Sequence, residues 1–335
     1  MIQNFLIRWN KEIYMITVLV TTSLDKQSRE KLINAFQSVT FHFFDNKNEA
    51  VTSNVNPNVL IAYADDLHED WLKNLTNLKW IHVLTSGVNS LPFDWLMKNK
   101  SILVTNSKGI HAIPMAEYTV GAMLMLAKHF NQYLGFQKER NWNPALTSEE
   151  LDGKVVSIIG TGAIGTEIAK KLKAFNTKVV GINTNGRDVS PFDKVSSMDD
   201  IDKVLSTSDF IIVTLPLTNS TKNLLSKDKL SLIKPTSYLI NLARGEILDE
   251  SYLVYALKEK RIKGAVLDVV EEEPLSWNNP IWELENVMIT PHISDSSPLV
   301  YARMTNIIIS NLLCYEKEEY ECMVNQVDLH FTYYN

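Results

Sequence analysis

The segment Gly160-Thr161-Gly162-Ala163-Ile164-Gly165 constrains the fold of this chain more than any other. It follows the β-branched run Val155–Ile159 and opens a stretch whose apolar residues have helical spacing: Ile164, Ile168, Leu172 and Phe175. A glycine turn between a strand and a helix is the fingerprint of a unit that binds the pyrophosphate of a dinucleotide. The first glycine permits the tight turn, the second lets the backbone approach the ligand, and the third lets helix and strand pack closely. An ordinary glycine-rich turn is the alternative, and the flanking pattern disfavours it.

Short β-branched runs alternate with helix-compatible stretches along nearly the whole chain. The predicted strands are 18–20, 59–63, 80–84, 102–105, 155–160, 179–183, 210–215, 238–243, 265–269 and 287–290. Such alternation is typical of parallel sheets flanked by helices. One long helix is predicted from about Pro114 to Glu139. Because it is apolar nearly all round, we expect it to be buried between layers or at a subunit interface.

The length of 335 residues suits two domains better than one. Candidate hinges lie at 106–111 and 292–297. We therefore predict an α/β protein with two doubly wound parallel-sheet domains. A Rossmann domain for the dinucleotide, residues 106–295, is inserted into a flavodoxin-like substrate domain, residues 1–105 and 296–335. A last helix, about Pro298 to Glu316, carries the chain back to the first domain.

Composition excludes several classes of protein. The net charge is −6 and no Lys/Arg-rich run occurs, which argues against nucleic acid and acidic membranes as partners. No run reaches the length of a membrane-spanning helix. Residues 1–14 lack a signal-peptide pattern, and Met15, which opens a strand-like run, is a possible natural start. The two cysteines, Cys314 and Cys322, fit no zinc or redox motif, so we expect reduced thiols and a cytoplasmic protein.

Three chemically active residues come at or just after the ends of predicted strands: Arg244, Glu273 and His292. The carboxyl ends of parallel strands are where open α/β folds place their ligand crevice. Singly, each residue is more simply read as an ion-pair partner, a solvated acid or a core histidine. Together, downstream of a dinucleotide turn, they indicate an anion clamp beside an acid–base pair.

These ordered motifs make the chain resemble the D-isomer-specific 2-hydroxyacid dehydrogenases from about Val18 to Asp328. The segments that carry the resemblance are Asn106-x-x-Gly109 before Ala116-Glu117, the Gly160 turn, and the runs 215–218, 241–245, 268–274 and 290–292. The resemblance implies that Arg244 holds the substrate carboxylate, that His292 is the acid/base and that Glu273 is its partner. It also implies that Asp268 and the Leu242 backbone hold the nicotinamide carboxamide, and that the Ser86-Gly87-Val88 backbone takes the substrate carboxylate. Leu215 and Pro216 belong to the predicted cofactor site.

The end of the next strand after the glycine turn bears on the choice of coenzyme. Asn183 stands there instead of a carboxylate, followed by Thr184 and, in the next turn, Arg187. An acid at this position binds the ribose hydroxyls of NAD, whereas an arginine accommodates the 2′-phosphate of NADP. We therefore expect NADP(H) to be used at least as well as NAD(H). In the alternative, Asn183 and Thr184 bond the ribose of NAD and Arg187 points into solvent.

The predicted reaction is hydride transfer from NAD(P)H to a 2-oxo acid, which gives a D-2-hydroxy acid without a metal. Asn89, Val270 and Ser294 depart from the family pattern and leave the substrate open. Glu273 argues against a formate dehydrogenase. A phosphite dehydrogenase is harder to exclude. Corepressors of this fold, which sense the nucleotide and bind peptides, are an alternative from a different class; their long flanking segments are absent here. The resemblance also implies a homodimer formed through the cofactor domain.

Overall fold

The computed structural model describes residues 15–329. Residues 1–14, which precede the suggested natural start at Met15, lie outside the described residues. The chain divides into two compact units, one of residues up to Ile110 and from Pro298 onward, the other His111–Ser297. Both are parallel α/β layers, as predicted. Within the described range no helix is both long and apolar enough to span a membrane.

The first unit is built on a five-stranded parallel sheet with strand order β2-β1-β3-β4-β5. This is the flavodoxin-like order, which confirms the predicted class of this sheet. Its strands bury nearly continuous apolar runs because helices cover both faces. The elements are β1 (Ile16–Val20), α1 (Lys26–Ala35), β2 (Val39–Phe43), α2 (Lys47–Thr52), β3 (Val59–Ala62), α3 (Glu69–Leu72), β4 (Trp80–Val83), α4 (Phe93–Lys98) and β5 (Leu103–Asn106).

The second unit is built on a seven-stranded parallel sheet. Its elements are α5 (Ala112–Ala127), α6 (Phe130–Lys138), β6 (Val155–Ile159), α7 (Ala163–Leu172), β7 (Lys178–Asn183), β8 (Lys194–Ser197), α8 (Ile201–Thr207), β9 (Phe210–Val213), α9 (Lys227–Leu230), β10 (Tyr238–Asn241), α10 (Glu250–Lys258), β11 (Gly264–Leu267) and β12 (Val287–Ile289). The order β12-β11-β10-β9-β6-β7-β8 is that of the Rossmann fold with one added strand. The strand order reverses between β6 and β9, and that reversal marks the ligand crevice of this fold.

The single helix predicted from Pro114 to Glu139 is wrong. The α-helix α5 ends at Ala127, and α6 starts afresh at Phe130, because His129 adopts a left-handed conformation with φ of 55°. A left-handed residue cannot continue a right-handed helix. The predicted burial holds for α5, in which nine of the sixteen residues are buried and Ile113, Glu117 and Gly121 leave one exposed stripe. The helix α6 contains no buried residue.

The chain returns to the first unit through α11 (Val300–Glu316). Its residues Met304, Ile308 and Leu312 are buried in one cluster with strands β1, β3 and β4. After the helix, Cys322 comes back to Cys314 and the two form a disulfide, with their Cα atoms 5.9 Å apart. The expectation of two reduced thiols was therefore wrong: the turn after α11 brings the cysteines within bridging distance, which sequence spacing alone does not show.

Candidate active site

The strands that precede the three predicted catalytic residues are neighbours in the sheet and end in register. Asn241 of β10 pairs with Leu267 of β11, and Leu267 pairs with Ile289 of β12. Arg244 follows its strand end by three residues and His292 does the same. Parallel strands place such residues at one edge of the sheet.

His292 and Glu273 form a direct contact. The imidazole Nδ1 lies 2.8 Å from Oε2 of Glu273. Oε1 of Glu273 accepts the N–H of Val270 at 3.3 Å, which holds the carboxylate in place. Because Nδ1 is engaged, Nε2 is the ring nitrogen left to exchange a proton with a ligand.

Arg244, like Glu273 and His292, is exposed. Its guanidinium Nη1 donates to the carbonyl of Ala243 at 2.6 Å. The backbone here is fixed by Asn241, whose amide donates to the Arg244 carbonyl at 3.0 Å. Within residues 15–329 the guanidinium forms no ion pair. Its remaining N–H groups can therefore serve a carboxylate ligand, which a planar guanidinium binds at two points.

A cavity of 550 Å³ adjoins the histidine and its acid. Apart from Asp268, Glu273, Thr290 and His292 its lining is apolar: Val270, Pro274, Leu275, Trp282, Ile289 and Pro291. Apolar walls lower the local dielectric, which strengthens the interactions of charged groups beside them.

Asp268 is buried beneath the loop that carries His292. Its carboxylate accepts the hydroxyl of Thr290 at 2.6 Å and the N–H groups of Ile293 at 2.9 Å and Ser294 at 3.0 Å. Burial raises the pKa of Asp268, but the hydrogen bonds from Ser294, Thr290 and Ile293 outweigh burial and hold that pKa below its usual range. The sequence predicted Asp268 as a cofactor contact and predicted no role for Thr290. No sequence pattern indicated that Asp268 would bind the loop that carries His292.

The glycine turn fits a dinucleotide pyrophosphate. Gly160 has φ of +113°, and a Cβ added to Gly165 would lie 2.0 Å from the Gly160 carbonyl oxygen, so neither position accepts a side chain. A Cβ added to Gly162 would meet nothing within 4 Å, which leaves an open approach to the start of α7. No side chain caps this helix. The N–H groups of the first turn of α7, which begins at Ala163, and the N–H of Thr161 are therefore available to an anion.

The residues at the end of β7 are placed beside this turn. The Asn183 amide donates to Thr161 Oγ1 at 3.1 Å and to the Arg187 carbonyl at 2.8 Å. Its buried Oδ1 has no hydrogen-bond partner among the described residues. Thr184 and Arg187 are exposed. Leu215 and Pro216 follow β9, and Leu242 follows β10, both strands on the far side of β6 from β7.

The loop Ser86-Gly87-Val88 lies in the first unit, after β4. The Asn106 amide donates to the Ser86 carbonyl at 2.9 Å, and Thr85 Oγ1 donates to the Gly87 carbonyl at 2.7 Å. A Cβ added to Gly87 would meet nothing within 4 Å, so the backbone there is open to a ligand.

The Rossmann sheet has a fitting glycine turn, and an imidazole–carboxylate pair and an arginine follow its neighbouring strand ends. Together these features define a dinucleotide-dependent oxidoreductase. Residues 120–294 match the family model described as D-isomer specific 2-hydroxyacid dehydrogenase, NAD binding domain. A glyoxylate reductase of Thermofilum pendens is 34% identical over 267 residues, which are 78% of each chain. The chain belongs to the D-isomer specific 2-hydroxyacid dehydrogenase family and is an NAD(P)-dependent enzyme that interconverts 2-oxo acids and D-2-hydroxy acids.

Solved structures share this fold. A D-isomer specific 2-hydroxyacid dehydrogenase family protein of Aeromonas salmonicida subsp. salmonicida A449 is 28% identical, with a TM-score of 0.76 over 94% of this chain and 99% of that one. An acyclic imino acid reductase, in complex with NADPH and D-arginine, is 25% identical, with a TM-score of 0.74 over 93% of this chain and 100% of that one.

Proposed function

We propose that the protein reduces a small 2-oxo acid such as glyoxylate or hydroxypyruvate, with Arg244, Glu273 and His292 as its catalytic residues. The observation that carries the proposal is the 2.8 Å contact between His292 Nδ1 and Glu273 Oε2 at the strand ends that Arg244 also follows. The similarity to a glyoxylate reductase supports a small substrate.

Arg244 is the proposed carboxylate clamp. Its exposed guanidinium offers two parallel N–H groups, which match the two oxygens of a carboxylate. A 2-oxo acid held in this way has its carbonyl oxygen next to the same positive charge, which stabilises the negative charge that develops on that oxygen. The Ser86-Gly87-Val88 backbone is proposed to take the carboxylate from the other side through its N–H groups.

His292 is the proposed acid for reduction and base for oxidation. In the imidazolium form Nδ1–H donates to Glu273 and Nε2–H donates to the substrate oxygen; loss of the Nε2 proton leaves a neutral ring still held by Glu273. The negative Glu273 carboxylate stabilises the positive imidazolium and keeps the ring in one orientation.

The proposed coenzyme site consists of the glycine turn and the strand ends around it: Gly160, Thr161, Gly162, Ala163, Ile164, Gly165, Asn183, Thr184, Arg187, Leu215, Pro216, Leu242 and Asp268. When bound, the reduced nicotinamide supplies the hydride. We propose that NADP(H) is accepted at least as well as NAD(H), because no carboxylate stands at the end of β7 and the exposed Arg187 can pair with a 2′-phosphate. The Asp268 carboxylate accepts hydrogen bonds from Thr290, Ile293 and Ser294, which hold it at the end of β11 beside the proposed nicotinamide site.

We also propose a homodimer formed through the cofactor domain. The helix α6 buries no residue, and Phe130 and Leu134 are 53% and 59% exposed. Trp142, just beyond it, is 96% exposed. An apolar surface of this kind is typical of a subunit interface. Analytical ultracentrifugation should show a dimer that Leu134→Glu weakens, and a monomeric wild type would contradict the proposal.

The cytoplasmic location predicted from the cysteines stays a prediction. Because Cys314 and Cys322 form a disulfide, reduced thiols no longer support that location.

The proposed function is tested by a spectrophotometric panel. Glyoxylate, hydroxypyruvate, pyruvate and bulkier 2-oxo acids are each offered with NADH and with NADPH, and formate and phosphite are offered with the oxidised coenzymes. We expect turnover of at least one small 2-oxo acid and a D-configured product by chiral chromatography wherever the product is chiral. Activity confined to formate or phosphite, or coenzyme binding without any turnover, would replace this proposal by one of the alternatives.

A further inference from the structure

We propose that Tyr118 is a positioning residue for His292. It lies on α5, buries most of its ring and is not part of the site derived above. Its hydroxyl lies 2.6 Å from Oγ1 of Thr290, two residues before the histidine. The inference rests on the proposed role of His292 as the acid and base.

The direction of the hydrogen bonds is fixed by chemistry. Thr290 Oγ1 lies 2.6 Å from Oδ1 of Asp268, and an ionised carboxylate can only accept, so the threonine proton points to the aspartate. The single hydroxyl proton of Thr290 is then used. Tyr118 must therefore donate to the threonine oxygen, and burial raises the pKa of Tyr118 to about 12, which keeps its proton in place.

The chain of hydrogen bonds ends on the backbone around His292. The Asp268 carboxylate accepts the N–H groups of Ile293 and Ser294, and the Asp268 carbonyl accepts the N–H of His292 at 2.9 Å. His292 itself has φ of 53°. A left-handed conformation is unfavourable for a histidine and persists only where its surroundings impose it. Residues 290–294 are thus held to Asp268 on both sides of the unfavourable residue.

The tyrosine hydroxyl strengthens this hold. Successive hydrogen bonds polarise one another, so a donor to Thr290 Oγ1 makes the threonine a better donor to Asp268. Loss of the tyrosine hydroxyl should therefore loosen the loop and disturb the aim of Nε2, while the glycine turn and Arg244 keep their geometry. The expected defect lies in proton transfer and not in binding.

The test is Tyr118→Phe in the full-length enzyme, with the best 2-oxo acid and coenzyme of the panel. Loss of one net hydrogen bond corresponds to a fall in kcat of about twofold to tenfold. We expect KM for the oxo acid and the coenzyme dissociation constant, measured by fluorescence, to stay near wild type. We also expect a larger solvent deuterium isotope effect on kcat, because a poorly aimed proton transfer limits the rate more strongly. A merely structural role would not change that isotope effect.

Tyr238→Phe is the matched control. Tyr238 is also a largely buried tyrosine of the second unit, and its hydroxyl donates to the Glu149 carboxylate at 3.2 Å, at the amino-terminal end of β10. This variant should lose a similar amount of stability with kcat and the isotope effect unchanged. Thr290→Ser, which keeps the hydroxyl, should remain close to wild type, whereas Thr290→Val should be worse than Tyr118→Phe.

The outcomes separate the two hypotheses. If wild type reduces 2-oxo acids and His292→Ala does not, but Tyr118→Phe matches wild type or matches Tyr238→Phe in both kcat and isotope effect, the positioning role is refuted and the proposed function stands. If wild type reduces no 2-oxo acid, the proposed function fails and this inference fails with it.

Discussion

Gly245 and Val270 are in backbone contact: a Cβ added to Gly245 would lie 2.0 Å from the carbonyl carbon of Val270. The residue after Arg244 therefore touches the segment that leads to Glu273, and the clamp and the acid are positioned against each other by main chain alone. Only glycine permits this approach.

Gly245→Ala should disturb both catalytic segments at once. Because the obstructing atoms are backbone, relief requires a backbone shift, and we expect a loss of about 1–3 kcal/mol in stability. The fall in kcat/KM should exceed what the lost folded fraction explains. Gly121→Ala, in an exposed turn of α5 with no atom within 4 Å of the added Cβ, is the control and should be neutral or slightly stabilising in thermal melts. Wild-type stability and kinetics in Gly245→Ala would show that the contact is not restrictive.

His292→Ala should lose most turnover and retain coenzyme binding. The proton donor disappears, whereas the glycine turn is untouched. General acid catalysis contributes about 10²–10⁴-fold, so kcat should fall by that order. Stopped-flow kinetics and fluorescence titration measure the two quantities. His68→Ala, at an exposed histidine before α3, should behave as wild type. Near-normal kcat in His292→Ala would remove this histidine from the mechanism.

Arg244→Lys should remain poor although the positive charge is kept. An ammonium group cannot make the planar two-point contact to a carboxylate. The loss should appear in kcat/KM for the oxo acid, with little change in coenzyme affinity. Arg261→Lys provides the comparison, since Arg261 lies over the Tyr255 ring and outside the site. Full activity with lysine at position 244 would mean that the residue acts only as a distant charge.

Arg187→Ala should selectively lower kcat/KM for NADPH. The exposed guanidinium is the group proposed to pair with the 2′-phosphate. Asn183→Asp is the reverse test, because a carboxylate beside the phosphate repels it and should favour NADH. Steady-state kinetics with both coenzymes measure each ratio. A strong NADH preference in wild type, or equal losses with both coenzymes in Arg187→Ala, would contradict the assignment.

His82 should make the first unit acid-sensitive. It is fully buried, with Nδ1 2.8 Å from Thr105 Oγ1 and Nε2 3.1 Å from Ser107 Oγ, and burial lowers its pKa from 6.5 to about 3. The unfolded chain binds this proton below pH 6.5 but the folded chain only near pH 3, so stability falls as the pH drops between these values. The slope is at most about 1.4 kcal/mol per pH unit.

Urea denaturation at several pH values measures this slope, and His82→Gln should flatten it between pH 6.5 and 5. In NMR spectra the His82 ring signals should not titrate over this range. A His82 titration near pH 6.5 would show that the folded protein tolerates the charge.

The parallel arrangement of the strands explains which parts of the fold could be predicted from the sequence. The central strands are continuous apolar runs, and residues just beyond them must converge at one edge, so Glu273 and His292 could be placed together from sequence. The strands Val39–Phe43 and Lys194–Ser197 were not predicted because they lie at sheet edges and are partly polar. Edge strands need not be apolar on both faces.

Local chemistry that depends on conformation could not be predicted. The helix breaks at His129 because this residue is left-handed, and no glycine, the usual sequence signal for that conformation, occurs there. The hydrogen bond from Tyr118 to Thr290 joins residues 172 apart in sequence, and neither side chain is unusual in its own segment. Asn183 was predicted to belong to the cofactor site, and the structure shows that its amide nitrogen joins the glycine turn to the loop that carries Arg187.

The first unit is assembled from both ends of the chain, which sets an order for folding during synthesis. Its core joins Val18 and Trp80 with Ile308 and Leu312, and Val327 donates to the carbonyl of Val104 at 2.8 Å along β5. The inserted unit is complete once Ser297 has left the ribosome, whereas the first sheet must wait with one apolar face uncovered until α11 has been made. This face of the nascent chain should therefore be exposed to aggregation and to chaperone binding until α11 has emerged.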